Sequence, residues 1–289
     1  MNDLEGLIDL DVDFYRNLHG DLTRFNDQDL SRHYYKYGYF EGRRCHPRSR
    51  REDLAADLNG LKTLEIGPFT KPLFNHSNVK YADVLSKSEL VERAEKLGHP
   101  TDRVPFIDFV TRSGRLDGID EKFELVFSSH NIEHQPDLIG HLIQVGMLLK
   151  DGGTFAMLVP DRRYCFDALM PNSRISELIM AHRESRTRHT IGSVIENRAM
   201  NTHNDTKRHW QDDPTRVYQP ISASRVAAAI AEFERSNGGY IDVHAWRFEP
   251  LAFADIIRTL IDLKYIPFRT VSCRGPVKNR NEFAVELRL

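Results

Sequence analysis

Cysteine is scarce in this sequence. The three thiols, Cys45, Cys165 and Cys273, are far apart and odd in number. They form no CxxC pair and no disulfide framework, which fits a reducing cytoplasm. Long hydrophobic runs are missing too. None approaches the roughly 20 residues that cross a bilayer, so no membrane span is expected. There is no excess of basic charge. Forty Lys and Arg stand against 42 Asp and Glu, a net charge of -2, so no global field draws in nucleic acid. The opening MNDLEGLIDLDVDF lacks the basic flank and apolar core of a secretory signal. What remains is ordinary globular composition, 40% hydrophobic and 28% charged over 289 residues. That is enough chain for one large domain, or one domain with a small appendage.

The pattern divides the chain. Residues 1–50 hold two short helical patterns rich in Tyr, Phe and His, at Asp11–Leu22 and Gln28–Tyr39, and a basic linker follows at Arg43–Asp53. Residues 51–289 form the second unit. From Leu61 strands alternate with helices, which argues for a parallel sheet. LKTLEIG and KYADVLS read as strands. Ser86 and Glu89 make a capping box before a helix whose face carries Leu90, Val91, Ala94 and Leu97. Phe106–Val110 is a short third strand, FELVFS a buried fourth, and Pro136–Leu149 a helix ended by the glycine turn LKDGG. TFAMLVP follows as a strand. Residues 162–243 break the rhythm and are too long for a simple connection; they read as an insertion over the strand ends. The rhythm resumes with a helix at Pro250–Leu263 and two closing strands, Pro267–Cys273 and Glu282–Leu289. A pair joined by a loop is antiparallel. The expected fold is α/β, a mostly parallel seven-stranded sheet with an antiparallel C-terminal pair.

In such sheets ligands lie at the carboxyl ends of the strands. The first strand ends in Glu65-Ile66-Gly67-Pro68-Phe69, and the second in Asp83-Val84. Gly67 lets backbone approach a ligand closely. Glu65 can bind the ammonium of an amino acid, and an acid placed as Asp83 is can accept both hydroxyls of a ribose. This turn offers one glycine, followed by Pro68, where a nicotinamide enzyme would want three in GxGxxG.

LEIGPF resembles the first motif of class I S-adenosylmethionine (SAM)-dependent methyltransferases, with Phe69 where a second glycine often lies. FELVFSSHNIEHQPDLIGHLIQVGMLLKDGGTFAMLVPD resembles their later motifs. The resemblance covers residues 61–167 and 244–289. It implies a Rossmann-like methyltransferase fold and SAM as cofactor, with S-adenosylhomocysteine (SAH) as product. Glu65 and Gly67 would contact the methionine part of SAM and Asp83 the ribose, while Ser129 and His130 would line the pocket near the sulfonium. Asp108 is a candidate adenine contact.

Methyl transfer to a hydroxyl needs alignment and a base, and histidine suits the second task. His244 and His130 are the first candidates among 13 histidines, and His203 is next. His130-x-x-Glu133-His134 is also similar to the Glu-x-x-Glu-His metal motif of quinone-biosynthesis O-methyltransferases. His130 replaces its first glutamate, and histidine is a poor Mg²⁺ ligand, so no metal ligand is assigned. Within the insertion, Arg162, Arg163, Arg174, Arg186 and Arg188 are candidates for binding a phosphate or carboxylate. Tyr164, Trp210, Tyr218 and Trp246 are candidates for stacking on sugar rings.

VPDRRYCFD, the histidine-rich insertion and DVHAWRFEP together are similar to bacterial methyltransferases encoded among glycosyltransferases. DFYRNLHGDL…LSRHYYKYGYFEGRRCHP resembles a helical module attached to bacterial glycan-modifying enzymes; read from residues alone it is a helical lid or dimer contact. These resemblances imply O-methylation of a sugar hydroxyl in a glycan or lipid-linked saccharide. The arginines allow an anionic acceptor, and the dimer-contact reading of the N-terminal segment allows a homodimer. A small-molecule O- or N-methyltransferase and a non-catalytic SAM-binding scaffold subunit are the alternatives. A nucleic-acid methyltransferase is disfavoured, because the Asn/Asp-Pro-Pro-Tyr/Phe motif is missing.

Overall fold

The computed structural model describes residues 4, 6–211 and 219–289. Helix α1 (Val12–Leu18) starts where Asp11 accepts a hydrogen bond from the Phe14 N–H, and α2 (Asp27–His33) where Asn26 accepts from Asp29. Helix α2 runs through a wider turn, Tyr34–Gly38, into the short α3 (Tyr39–Glu41), which Gly42 ends in the left-handed region. Tyr15, Tyr34 and Tyr39 are buried and meet edge to face, a favoured geometry for aromatic pairs. The Tyr34 hydroxyl lies so close to Gly275 that a Cβ there would fall 1.7 Å from it. The N-terminal segment thus packs against the closing strands.

The stretch read as a linker carries arginines with distant partners. Arg48 pairs with Glu286, and Arg51, in α4 (Arg51–Leu58), pairs with Glu282. Both glutamates lie near the C-terminus.

The sheet contains β1 (Thr63–Ile66), β2 (Val79–Asp83), β3 (Phe109–Val110), β4 (Phe123–Ser129), β5 (Leu149–Pro160), β6 (Thr270–Cys273) and β7 (Glu282–Arg288). Its order is β3-β2-β1-β4-β5-β7-β6. Strands β1 to β5 are parallel, and β7 runs antiparallel to both β5 and β6. This is the Rossmann-like, seven-stranded layout expected from the sequence. Helix α5 (Lys87–Lys96) starts at the Ser86/Glu89 capping box, and α6 (Leu138–Leu148) buries Leu138, Leu142 and Val145 against the sheet. Helix α11 (Pro250–Asp262) takes Pro250 into its first turn and buries Phe253, Ile256, Ile257 and Leu260 on one face.

The third strand is shorter than its apolar residues suggest. Phe106 is 71% exposed. The Asp108 carboxylate accepts from the Tyr81 N–H at 2.9 Å, taking a donor that a longer β3 would pair, so the ladder begins at Phe109.

The insertion holds α7 (Ile175–Arg183), α8 (Ile191–Ala199), α9 (Thr206–His209) and α10 (Ala223–Arg235). It leaves the sheet at Asp161 and returns beside that point, where Asp161 bridges Phe248. A small core of Val194, Ala229, Ile241 and Val243 holds α8 against α10. Among the described residues no helix is long and apolar enough to cross a membrane.

Candidate active site

The loop after β1 is set by backbone geometry. Gly67 has φ +68, and a Cβ there would lie 3.1 Å from the Asn131 amide, so any side chain would be strained in dihedral and would push that amide back. Phe69 has φ +43, a region costly for a bulky side chain. The residue that departs from the glycine motif therefore still takes a glycine-like conformation. Its ring packs with Leu90, Val104 and Ile107, and His99 meets it edge-on. Ile66 and Pro68 are buried beneath the turn.

Glu65 is 2% exposed, and its two oxygens accept from the Leu73 and Phe74 N–H groups at 2.8 and 3.1 Å. Burial pushes its pKa up to about 7, with those two bonds opposing. Glu65, the expected contact for the methionine part of a cofactor, thus uses both oxygens to hold the turn that follows Gly67.

Asp83 ends β2, half-buried, with one oxygen accepting from the Leu85 N–H. Burial raises its pKa. Val84 beside it is exposed. Asp108 lies before β3, on the side away from the strand's carboxyl end, with its carboxylate spent on β2. It is therefore not placed with Asp83. The segment that follows β3 at that end, where the Thr111 N–H donates to the Asp83 carbonyl, carries no motif that singles it out in the sequence.

At the end of β4, Ser129 accepts a hydrogen bond from Arg51, and just beyond it His130 Nε2 lies 2.8 Å from Glu282. His130 has φ +50, a second strained residue at the strand tips. Burial raises the Glu282 pKa, but hydrogen bonds from His130 and Arg51 outweigh it and hold the value at about 2. His130 is thus tied to an ionised carboxylate. Arg51 and Glu282 carried no signal in the sequence, because each reaches the site from an end of the chain.

His244 is 6% exposed, with Nδ1 2.6 Å from the buried Asp167. Its Nε2 lies 3.8 Å from Glu133, and His134 Nε2 lies 3.7 Å from the same Glu133 oxygen. His134 Nδ1 is 2.9 Å from Asp242. Arg247 contacts Asp167, and Arg93 contacts Asp242. The backbone makes this meeting: the Ala245 and Trp246 N–H groups both donate to the Glu133 carbonyl, stitching the insertion's return to the turn after β4. Ligand atoms of Glu133, His134 and His244 all lie within 4.8 Å of one another. These residues line a cleft of about 410 Å³ shared with His130, Phe166, Asn197, Asn201, Asn204 and Asn281.

His203 lies elsewhere. Its ring stacks on His209 at 4.1 Å, and its Nδ1 accepts from the Asp205 N–H. Tyr164 and Trp210 stack on each other at 3.7 Å, and Trp246 is buried with its indole N–H donating to the Gln135 carbonyl. Their faces are used inside the protein. Tyr218 lies outside the described residues. Arg162 pairs with Glu249, Arg163 with Asp161, Arg174 with Glu177 and Arg186 with Glu184. Arg188 lines a separate cleft of about 580 Å³ with Arg174 and Arg186. Four of the five candidate arginines are thus already matched by acids.

No protein-family model and no curated protein matches the chain. Solved structures do. The chain is similar to the CcbJ methyltransferase from Streptomyces caelestis, 21% identical over 39% of this chain and 52% of that one, with a TM-score of 0.28. A SAM-dependent methyltransferase from Clostridium acetobutylicum matches at 18% identity over 50% of this chain and 62% of that one, with a TM-score of 0.29. Another from Mesorhizobium loti matches at 15% over 83% and 98%, with a TM-score of 0.38. The chain spans about half the length of the first of these. Likeness at this level assigns neither activity nor substrate.

Proposed function

We propose that this protein is a SAM-dependent methyltransferase that methylates a hydroxyl of a saccharide. One observation carries the reading. His130, at the tip of the strand beside those that end in Gly67 and Asp83, also lines a polar cleft where His244 is held by a buried carboxylate. In this account Gly67 and the turn through Phe69 take the methionine part of SAM, Asp83 binds the ribose, and Val84 flanks the adenine. Ser129 and His130 lie beside the sulfonium. Glu65 acts through the turn it braces.

His244 is best placed of the three candidate histidines to help remove the hydroxyl proton. Asp167 orients its ring, its other nitrogen lies 3.8 Å from Glu133, and the residue lines the cleft. A base so placed contributes about 10²–10⁴-fold. His130 is engaged by Glu282, and His203 is not among the residues lining the cleft. Four asparagines among the lining residues offer donors and acceptors together, which suits a polyhydroxyl acceptor. The matched arginines give an anionic acceptor little support.

The test is turnover. Purified protein is incubated with SAM and a panel of mono- and oligosaccharides, and SAH release is measured. Release dependent on a sugar, with an O-methyl product, supports the reading. Release dependent only on amine acceptors would redirect it to N-methylation, and SAH binding without turnover on any acceptor would favour a scaffold role.

A further inference from the structure

We infer that Glu133, His134 and His244 bind a divalent transition-metal cation of the Zn²⁺ type. The inference deepens the proposed activity and rests on it only for the use made of the ion. Three observations meet here. The first is an unmet carboxylate. Glu133 is 1% exposed, and neither side-chain oxygen accepts a hydrogen bond. A buried charge without a partner is costly, and metal coordination is one of the few remedies.

The second is aim. Two imidazole Nε2 atoms lie 3.7 and 3.8 Å from the same Glu133 oxygen. Those separations are too long for hydrogen bonds. They are close to the spacing of neighbouring ligands around one ion, given metal–ligand bonds of about 2.0–2.2 Å. The third is the outer layer. Asp167 lies 2.6 Å from His244 Nδ1, and Asp242 lies 2.9 Å from His134 Nδ1. The Asp167 carboxylate on His244 Nδ1 fixes the proton there and leaves Nε2 with its lone pair, the usual support of a metal-bound histidine, while Asp242 stands close to His134 without the alignment of a hydrogen bond. Arg247 and Arg93 face those two outer acids, Arg247 being shared with Glu196, whereas among the described residues Glu133 faces only the two imidazoles.

Two nitrogens and one oxygen suit Zn²⁺ and its neighbours rather than Mg²⁺ or Ca²⁺. Three protein ligands leave a position open, as in catalytic sites, and here the trio lines the cleft. The set differs from the spacing seen in the sequence. His130 is taken by Glu282, and His244, more than a hundred residues downstream, takes its place. An acceptor hydroxyl at the open position would lose its proton to cleft water more readily. Its oxygen pair would then form the bond to the methyl carbon as the carbon–sulfur bond breaks. The carbon–sulfur bonding pair goes to sulfur, leaving neutral SAH, and the ion keeps its oxidation state. With the ion bound, His244 would promote the same deprotonation as one of its ligands.

The test uses the full chain stripped with a chelator and titrated with Co²⁺ by visible absorption and with Zn²⁺ by calorimetry. One equivalent should bind. Glu133→Gln and His244→Ala should abolish it, and Asp167→Asn should weaken it by about 10–100-fold. SAH affinity, measured on every variant, reports whether the chain has folded and separates this inference from the methyltransferase reading. Metal bound without SAH would sink that reading and leave the site standing. A wild-type chain that binds neither ion, or folded variants that bind as well as wild type, would overturn the inference. Should the variants fail to fold, anomalous scattering from a Zn²⁺-soaked wild-type crystal decides. An ion on the trio is the expected result, and an ion elsewhere or none is the contrary one.

Discussion

The two sides of the strand tips are made of different material. The proposed cofactor side is mostly backbone: a turn with two residues at positive φ, Gly67 and Phe69, braced from below by Glu65. The proposed acceptor side is side chain: two histidines and three acids drawn from the turn after β4, the start of the insertion and its return. The first is built within about twenty residues of chain. The second exists only after the insertion closes. A short, local site constrains sequence strongly, and a site assembled from distant segments constrains it weakly.

That contrast can be tested by substitutions that should separate turnover from cofactor affinity. The largest effect is expected at His244→Ala. Turnover should fall by about 10²–10⁴-fold while SAH affinity holds. An equal loss of both would mean that the two sides are one structural unit. Asp83→Ala should do the reverse. Losing hydrogen bonds to a charged group costs about 1.5–3 kcal/mol, so SAH should bind roughly 10–100-fold more weakly by calorimetry. Gly67→Ala comes next. A left-handed alanine costs about 1–2 kcal/mol, and its methyl group would crowd Asn131, so SAH affinity should drop roughly tenfold.

A smaller effect concerns pH. The folded Glu65 pKa of about 7 lies above its ordinary value of 4.5. The folded state therefore holds the proton more tightly than the unfolded state. Its contribution is fully present below about pH 4.5 and is lost as pH rises toward about 7. Glu65→Gln should flatten that decline, read from denaturant midpoints at about pH 5 and pH 8. A decline as steep as wild type would place the buried charge elsewhere. Phe69→Gly should change SAH affinity least, since relief of the φ +43 strain offsets the lost packing. A loss as large as that of Gly67→Ala would mean that the ring, not the turn, makes the site.

The same contrast explains what could be read in advance. The sheet was legible because each strand and helix carries its own period and caps: Ser86 with Glu89, Pro250 in the first turn of α11, the four apolar positions buried along α11. The shortened β3 was not, because a side chain, Asp108, took the place of a backbone partner. On the cofactor side the positions of Gly67 and Asp83 followed from where strands end. Glu65 was located but its partners were not, since bonds to Leu73 and Phe74 depend on how the turn folds back. On the acceptor side Glu133, His134 and His244 were visible as residues. Nothing in their spacing showed that Asp167 and Asp242 would stand behind the two rings, because those contacts span the insertion.

The central claim is that the tips of β1 and β2 hold a SAM-type ligand. Calorimetric titration of the purified chain with SAH tests it most directly. The account predicts binding of one equivalent, weakened by Asp83→Ala and retained by His244→Ala. No heat of binding with SAH and none with SAM would contradict it.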